Sequence, residues 1–327
     1  ILVVGLGPAG FTLSHYLMND GHAVVAIDGA KIEPVTASIS GVTPTGERTA
    51  FDPVYDIEDL TEELDDRVMA GFGGVAEYGI TVRWDKNFLK IIRLMLERRQ
   101  EFAMFGGTRF GGSISDESAY AMGFDHVALC AGAGKPTILK IPNGLAPGVR
   151  QASDFLMGLQ LTGAAKSDSI TNLQVRLPVV VIGGGLTAID TATESLAYYA
   201  VQVEKFLTRY EILVTDKGEE AVRAAWLEPE AEIADEFLTH GQAIRAEKQT
   251  AQNEGRAPRI LEMLQSWGGA IVAYRRRMID APSYTLNHEE ITKAMEEGIG
   301  FAELLSPSAI DVDVAGNACA IQLEKQA

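Results

Sequence analysis

Cysteine is scarce in this sequence, and the two cysteines that occur lie far apart. Cys130 and Cys319 can form neither a disulfide framework nor a CxxC redox or metal-binding motif. The five histidines show no spacing typical of metal ligands, so we predict no metal site. These absences exclude a small disulfide-stapled secreted domain. They are typical of a reducing compartment, and we therefore expect a cytoplasmic location.

Basic residues and long hydrophobic runs are also few. Lysine and arginine total 28 against 45 aspartates and glutamates, which gives a formal net charge of −17. Duplex nucleic acid and anionic membrane surfaces bind clustered basic side chains, so we predict neither as a partner. The longest apolar runs, such as residues 179–182, are far too short to cross a bilayer.

The chain has no initiator methionine and no recognisable signal peptide, and Ile1 already lies inside a strand-like segment. We expect the sequence to be part of a longer polypeptide. Its 327 residues, of which 46% are hydrophobic, suit about two globular domains.

A glycine-rich motif, GLGPAG at residues 5–10, follows an apolar strand and opens an amphipathic helix. In such a turn the first glycine permits the tight bend, the second lets a diphosphate approach the backbone, and the third lets the helix pack on the strand. The free N–H groups and the positive end of the helix dipole then hold the diphosphate. Asp28 ends the next strand, where a carboxylate can accept hydrogen bonds from a ribose. We predict a dinucleotide site here.

A second motif of this kind, GGGLTA at residues 183–188, has alanine in place of the third glycine. The strand that completes this unit ends in YRRR at residues 274–277, where the first unit has its acid. Guanidinium groups suit a 2′-phosphate and a carboxylate would repel it, so we favour NADPH over NADH. The alternative is that these arginines are only the basic end of a solvated strand.

Two dinucleotide sites in one chain indicate hydride transfer, because that reaction needs a donor and an acceptor held together. A flavin next to a nicotinamide is the commonest such pair, and it needs no protein nucleophile, so we predict no catalytic side chain. Two other functions stay open. One is an FAD monooxygenase or oxidase, although many of these bind nicotinamide without a separate domain. The other is a non-catalytic nucleotide-binding redox sensor or scaffold.

Five motifs follow the first glycine turn along the chain: GGVAEYGI at 73–80, CAGAGKP at 130–136, GGGLTAID at 183–190, YRR at 274–276 and EEGI at 296–299. Together with the first turn they resemble the glutamate synthase small (beta) subunit and its relatives, which include the flavin portion of dihydropyrimidine dehydrogenase. The resemblance implies that electrons pass from NADPH to FAD and onward to an iron–sulfur protein or catalytic partner subunit. Any iron–sulfur cluster would lie outside this segment.

The predicted fold class is α/β, with two Rossmann-like dinucleotide-binding domains, the second inserted in the first. We predict an FAD-binding domain over residues 1–155, without its C-terminal return segment, and an NAD(P)H-binding domain over residues 156–327. After a helix predicted to end near Tyr199, helical periodicity indicates an extra helical insertion at about residues 200–266. This insertion is a surface elaboration, a docking surface for an electron acceptor, or a lid. In each case we expect its apolar side chains to pack on their own domain.

The resemblance also extends the predicted cofactor contacts beyond the two turns. It implies that Asp190 positions the nicotinamide end, and the alternative is a solvated helix acid. We interpret Cys130 as a small buried hydrophobic residue and not as a redox group. The full set of predicted cofactor-binding residues is Gly5, Gly7, Pro8, Ala9, Gly10, Asp28, Gly74, Val75, Ile80, Arg83, Phe110, Ala131, Gly132, Gly183, Gly184, Gly185, Leu186, Thr187, Ala188, Asp190, Arg275 and Arg276.

Overall fold

A computed structural model describes residues 1–63, 65–72, 87–132 and 136–326. Contacts between residues divide the chain into two compact units. Unit 1 comprises Ile1–Ile138 and Arg150–Thr171, and unit 2 comprises Leu139–Val149 and Asn172–Ala327. The predicted domain division after residue 155 falls inside a helix of unit 1, Ala152–Thr162, and as a statement about functional domains it stays a prediction.

Unit 1 is built on a parallel sheet of the Rossmann type. Its strands are β1 (Leu2–Val4), β2 (Val24–Ile27), β3 (Phe102–Phe105) and β4 (Val127–Leu129), in the order β3-β2-β1-β4. Every neighbouring pair is parallel. Because parallel strands place their carboxyl ends at the same edge, the residues that follow β1, β2 and β4 are brought together. The two strands predicted on either side of the first glycine turn and its helix are confirmed as β1 and β2, and the mixed α/β class is confirmed with them.

The central strands of unit 1 are buried on both faces, as their continuous apolar sequences predict. Since successive side chains point to opposite faces of a strand, Val3 joins a core with Phe72 and Phe102. Its neighbour Leu2 joins a different core with Ile27. The helices that accompany the sheet are α1 (Pro8–Asn19), α2 (Ala37–Ser40), α3 (Phe88–Glu97), α4 (Asp116–Ala121) and α5 (Ala152–Thr162).

Unit 2 repeats the parallel arrangement on a smaller scale. Strands β5 (Val179–Ile182), β6 (Ala270–Tyr274) and β7 (Gly300–Glu303) form one parallel sheet in the order β5-β6-β7. Near the end of the chain, β8 (Leu305–Val312) pairs with β9 (Ala318–Lys325) in an antiparallel hairpin, as the strand-like sequence and its turn at residues 315–317 predict. Strand β7 was not among the predicted strands.

The helices of unit 2 confirm the helical character of residues 200–266, but the predicted end of the first helix near Tyr199 is wrong. The helix that follows β5 continues unbroken to Lys217. No glycine or proline interrupts it, and its buried side continues through Val203 and Leu207. The insertion therefore begins as an extension of the Rossmann helix. The helices of unit 2 are α6 (Leu186–Lys217), α7 (Glu219–Arg223), α8 (Glu228–Glu254), α9 (Ile260–Ser266), α10 (Pro282–Leu286) and α11 (His288–Glu296).

The aromatic side chains of the insertion pack within unit 2, as predicted. Tyr199 of α6 contacts the rings of Phe237 and Trp267 edge-on or at a tilt. The His240 ring stacks on Trp267 with their centroids 3.7 Å apart, and Trp226 stacks on a tyrosine of α6. Despite the length of α6 and α8, none of the helices in the described part of the chain is long and apolar enough to span a membrane.

Candidate functional site: two glycine turns

The first glycine turn (residues 5–10) connects β1 to α1, and two of its glycines are required by the fold itself. Gly5 has φ +98°, and a Cβ on it would lie 2.5 Å from the carbonyl oxygen of Cys130. A Cβ on Gly10 would lie only 1.8 Å from the carbonyl oxygen of Gly5. The first glycine therefore makes the tight bend, and the third lets α1 pack directly on the end of β1.

The N-terminus of α1 has the features of an anion site. Gly7 is the N-cap residue, and no side chain caps the helix. Pro8 is the first helical residue, and the first turn, which includes Ala9, holds no acidic side chain. Backbone N–H groups at a helix start lack intrahelical partners, and the helix dipole is positive there. The turn can thus accept a diphosphate.

Asp28 follows β2 and lies against this turn. Its Oδ2 accepts a hydrogen bond from the Leu6 N–H at 2.7 Å, and its Oδ1 accepts one from the Ala30 N–H at 2.8 Å. These two bonds fix the half-buried carboxylate at the edge of the sheet. Each carboxylate oxygen can accept a further hydrogen bond, so the group remains able to bind ribose hydroxyls.

The segment after β4 completes the first turn. The Cys130 N–H donates to the carbonyl oxygen of Val4 at 2.7 Å, which holds residues 130–132 beside Gly5. Ala131 and Gly132 are exposed, and nothing lies within 4 Å of where a Cβ on Gly132 would stand. Burial raises the pKa of the Cys130 thiol, which keeps it neutral and agrees with a packing role.

Two groups of predicted flavin contacts have different outcomes. Phe110 packs against the apolar cluster on one face of the unit 1 sheet, with Leu2 and Ile27, so part of its ring serves the core. Whether it also contacts a cofactor stays a prediction. Four residues predicted from the resemblance lie outside the described residues: Gly74, Val75, Ile80 and Arg83.

The second glycine turn (residues 183–188) connects β5 to α6 and is less crowded. A Cβ on Gly183, at φ +152°, would lie 3.4 Å from the Cβ of Ala188, which is ordinary van der Waals contact. Gly185 is the N-cap of α6, again with no side-chain cap. Nothing lies within 4 Å of where its Cβ would stand. The position at which a diphosphate should approach the backbone is therefore open.

Glycine is required at position 184 for a structural reason that the sequence does not indicate. A Cβ on Gly184 would lie 2.5 Å from Cε2 of Tyr274, so the tyrosine ring occupies that space. The carbonyl oxygen of Gly184 accepts a hydrogen bond from the Ser283 N–H at 3.0 Å. Because a trans peptide directs its C=O and N–H to opposite sides, this bond orients the Gly185 N–H away from Ser283.

Strand register shows which residues of the two turns correspond. The Gly5 N–H donates to the carbonyl oxygen of Ile27, and the Gly183 N–H donates to that of Ala273. Tyr274 therefore stands where the first unit has Asp28. An acid at that position is absent from the second unit, and its place is taken by an aromatic ring.

The arginines that follow Tyr274 differ from one another. Arg277 is held by Asp280 through two contacts of 2.8 and 3.1 Å, and this pairing raises the pKa of Arg277. Arg275 and Arg276 are exposed, and neither side chain forms an ion pair with a described residue. Two guanidinium groups are thus available next to the second glycine turn.

The remaining predicted contacts lie on the first turns of α6. Leu186 and Thr187 begin the helix immediately after Gly185. Asp190 is only 4% exposed, so its interpretation as a solvated helix acid is wrong. Glu194, one turn further, is also buried. A role for Asp190 at the nicotinamide end stays a prediction.

The chain is similar to a known protein family and to a curated protein. A family model described as pyridine nucleotide-disulphide oxidoreductase matches residues 1–262. Over 317 residues the chain is 45% identical to a curated protein of Rickettsia prowazekii (strain Madrid E), described as uncharacterized protein RP006. That match covers 97% of this chain and 41% of the relative, so the chain spans less than half of the relative's length.

Solved structures of low sequence identity are also similar. FprA from Mycobacterium tuberculosis, in a mutant form, has a TM-score of 0.48 and 16% identity, covering 99% of this chain and 63% of that one. The covalent complex of putidaredoxin reductase with putidaredoxin has a TM-score of 0.34 and 11% identity, covering 99% of this chain and 54% of the other.

Proposed function

The chain belongs to the pyridine nucleotide-disulphide oxidoreductase family, and from this premise we propose that it is an FAD-dependent NAD(P)H oxidoreductase. FAD, when bound, supplies a ring that accepts a hydride from a reduced nicotinamide and passes electrons onward. The proposal assigns FAD to the first glycine turn and the nicotinamide cofactor to the second. These turns belong to the predicted domains 1–155 and 156–327, respectively.

One observation carries the proposal: the chain contains two strand–turn–helix units, each with a glycine N-cap and no side chain capping the helix. A protein that only senses one nucleotide needs one such unit. The open position at Gly185 supports a diphosphate at the second turn. At the first turn, the α1 N-terminus would hold the diphosphate of FAD, and Asp28 would accept hydrogen bonds from its ribose.

The arginines of the second unit support NADPH over NADH. A 2′-phosphate carries negative charge that Asp28 would repel in the first unit. In the second unit Tyr274 replaces that acid, and Arg275 and Arg276 are exposed beside it. Guanidinium groups bind phosphate oxygens through paired hydrogen bonds. We therefore propose that these two arginines bind the 2′-phosphate of NADPH.

The proposal for the electron acceptor rests on motifs along the whole chain and not on a single site. The motifs that resemble the glutamate synthase small subunit support an iron–sulfur protein or a catalytic subunit as the partner that receives electrons. The two alternatives, a non-catalytic sensor or scaffold and an FAD monooxygenase or oxidase, stay less favoured because the chain contains a second strand–turn–helix unit with an uncapped glycine turn.

Anaerobic reduction of the purified full-length protein tests the proposal. The protein should contain FAD, and NADPH should bleach its flavin absorbance much faster than NADH does. Replacing both Arg275 and Arg276 by alanine should remove the preference for NADPH and leave the FAD content unchanged. Arg277→Ala is the matched control, because Asp280 already occupies that guanidinium.

Each competing function gives a different result. A scaffold would show no bleaching with either nucleotide. An oxidase would be reduced by an organic substrate and would not respond to NADPH. If bleaching occurs but the double variant still prefers NADPH, the assignment of the 2′-phosphate to these arginines is wrong while the redox function stands.

A further inference from the structure

Arg109 lies beside the first glycine turn, and no sequence motif pointed to it. The Thr108 N–H donates to the carbonyl oxygen of Asp28 at 2.9 Å, which ties the chain after β3 to the end of β2. The next residue, Arg109, then lies over Gly29. A Cβ on Gly29 would be 3.4 Å from both Cγ and Nε of Arg109 and 3.6 Å from Cδ2 of Leu161.

The guanidinium of Arg109 is free for a ligand. Arg109 is exposed, and its side chain forms no ion pair or hydrogen bond with a described residue. Its backbone, in contrast, is held firmly, since the Arg109 carbonyl oxygen accepts a hydrogen bond from the Ser113 N–H at 2.7 Å. A long cationic side chain thus stands at a fixed point next to the proposed ribose-binding carboxylate.

The second unit has an arginine at the position that corresponds to Gly29. By strand register, Gly29 corresponds to Arg275, because Ile27 corresponds to Ala273. In the second unit the residue that directly follows β6 supplies a guanidinium at this position. In the first unit the corresponding residue after β2 is glycine, and Arg109 supplies a guanidinium from the segment after β3 instead. Both units therefore have an arginine side chain at the position one residue beyond Asp28 or its counterpart Tyr274.

The chemical group next to Arg109 must differ from the 2′-phosphate proposed for Arg275. Asp28 stands directly before Gly29, and its negative charge disfavours a 2′-phosphate at the first turn. A neutral, flat group is compatible with the carboxylate, and a planar guanidinium stacks well on such a ring. Resting on the proposed binding of FAD at this turn, we propose that the Arg109 guanidinium forms one face of the adenine pocket.

Flavin binding by apoprotein prepared from the full-length chain tests this role. The dissociation constant for FAD is measured by flavin fluorescence for the wild type and for Arg109→Ala, Arg109→Lys and Arg99→Ala. We expect Arg109→Ala to weaken FAD binding about tenfold. Arg109→Lys should be weakened nearly as much, because an ammonium keeps the charge but not the plane. Arg99→Ala is the matched control, since Arg99 precedes β3 and lies at the opposite end of the strand.

The melting temperature of each apoprotein separates binding from folding. The proposal expects it to be unchanged by Arg109→Ala. A lower melting temperature that accounts for the weaker binding would overturn the proposal, as would binding within twofold of wild type for either Arg109 variant. Wild-type apoprotein that takes up no FAD is a different result, because it removes the proposed function and not only the role of Arg109.

Discussion

Gly10→Ala is the substitution that most directly probes how the first glycine turn is built. The added Cβ would stand 1.8 Å from the carbonyl oxygen of Gly5, whereas even a favourable C–H···O contact needs about 3.3 Å. Helix α1 and strand β1 must therefore separate by more than about 1 Å. Both contacting atoms belong to backbone or are attached to it, so no side-chain rotation can relieve the clash.

The size of the effect follows from two opposing terms. Alanine is favoured over glycine in a helix by about 1 kcal/mol. Overpacking in a close-packed interior costs about 1–3 kcal/mol, and a backbone clash belongs at the upper end. We expect a net loss of about 2 kcal/mol in the free energy of unfolding of unit 1. For a unit of this size that corresponds to a fall of about 6 °C in melting temperature.

The assay is thermal unfolding of the full-length protein followed by near-ultraviolet circular dichroism, with FAD content measured on the same sample. The Gly10→Ala protein should melt earlier and retain less FAD. Gly185→Ala makes the same exchange at a position where the Cβ meets nothing, and it controls for the substitution itself. A Gly10→Ala protein with wild-type melting temperature and full FAD would refute this account of the turn.

Three further predictions concern the second turn and the acid sensitivity of unit 1. Gly185→Ala should leave the apoprotein stability within about 0.5 kcal/mol of wild type but weaken NADP⁺ binding measured by calorimetry, because the Cβ takes the space proposed for the diphosphate. Ser283→Pro removes the N–H bonded to the Gly184 carbonyl and should weaken NADP⁺ binding, whereas Ser283→Ala keeps that N–H and should not. Burial would raise the pKa of Glu33, but a hydrogen bond from Lys166 helps lower it from 4.5 to about 2. The stability that this depressed pKa contributes is present above pH 4.5 and is lost as the pH falls toward 2. Lys166→Met should therefore destabilise the protein in urea at pH 7 and much less near pH 2.

Each of these predictions has a result that contradicts it. Unchanged NADP⁺ affinity in the Gly185 variant would place the diphosphate elsewhere. Equal NADP⁺ affinities of the Ser283→Pro and Ser283→Ala variants would show that binding does not depend on the hydrogen bond to the Gly184 carbonyl oxygen. The melting temperatures of the two variants control for misfolding. A stability difference between wild type and Lys166→Met that stays constant between pH 7 and pH 2 would exclude Glu33 as its source.

The sequence predicts the two strand–turn–helix units well because their signals are local. An apolar strand, a glycine turn and a helix start lie within about twenty residues, and each glycine acts on its immediate neighbours. The same reasoning accepts alanine as the third residue of the second turn. The structure shows that the first turn requires glycine there, because a Cβ on Gly10 would lie 1.8 Å from the carbonyl oxygen of Gly5.

The sequence does not predict contacts between distant segments. It also does not predict where α6 ends, because no glycine or proline marks the end that was expected. The Tyr274 ring meets Gly184, and the Arg109 side chain meets Gly29, across about eighty to ninety positions, and no periodicity encodes such pairs. The helix end predicted near Tyr199 is not marked by a glycine or proline in the sequence. Helix α6 continues because buried side chains on its inner face continue to find partners in α8.

Simultaneous occupancy is the most direct test of two dinucleotide sites in one chain. Native mass spectrometry of the full-length protein, as purified and after addition of NADP⁺, reports how many nucleotides each chain holds at once. The account predicts a species that carries one FAD and one NADP⁺ together. A protein that only ever holds one dinucleotide, or from which NADP⁺ displaces FAD, would contradict it.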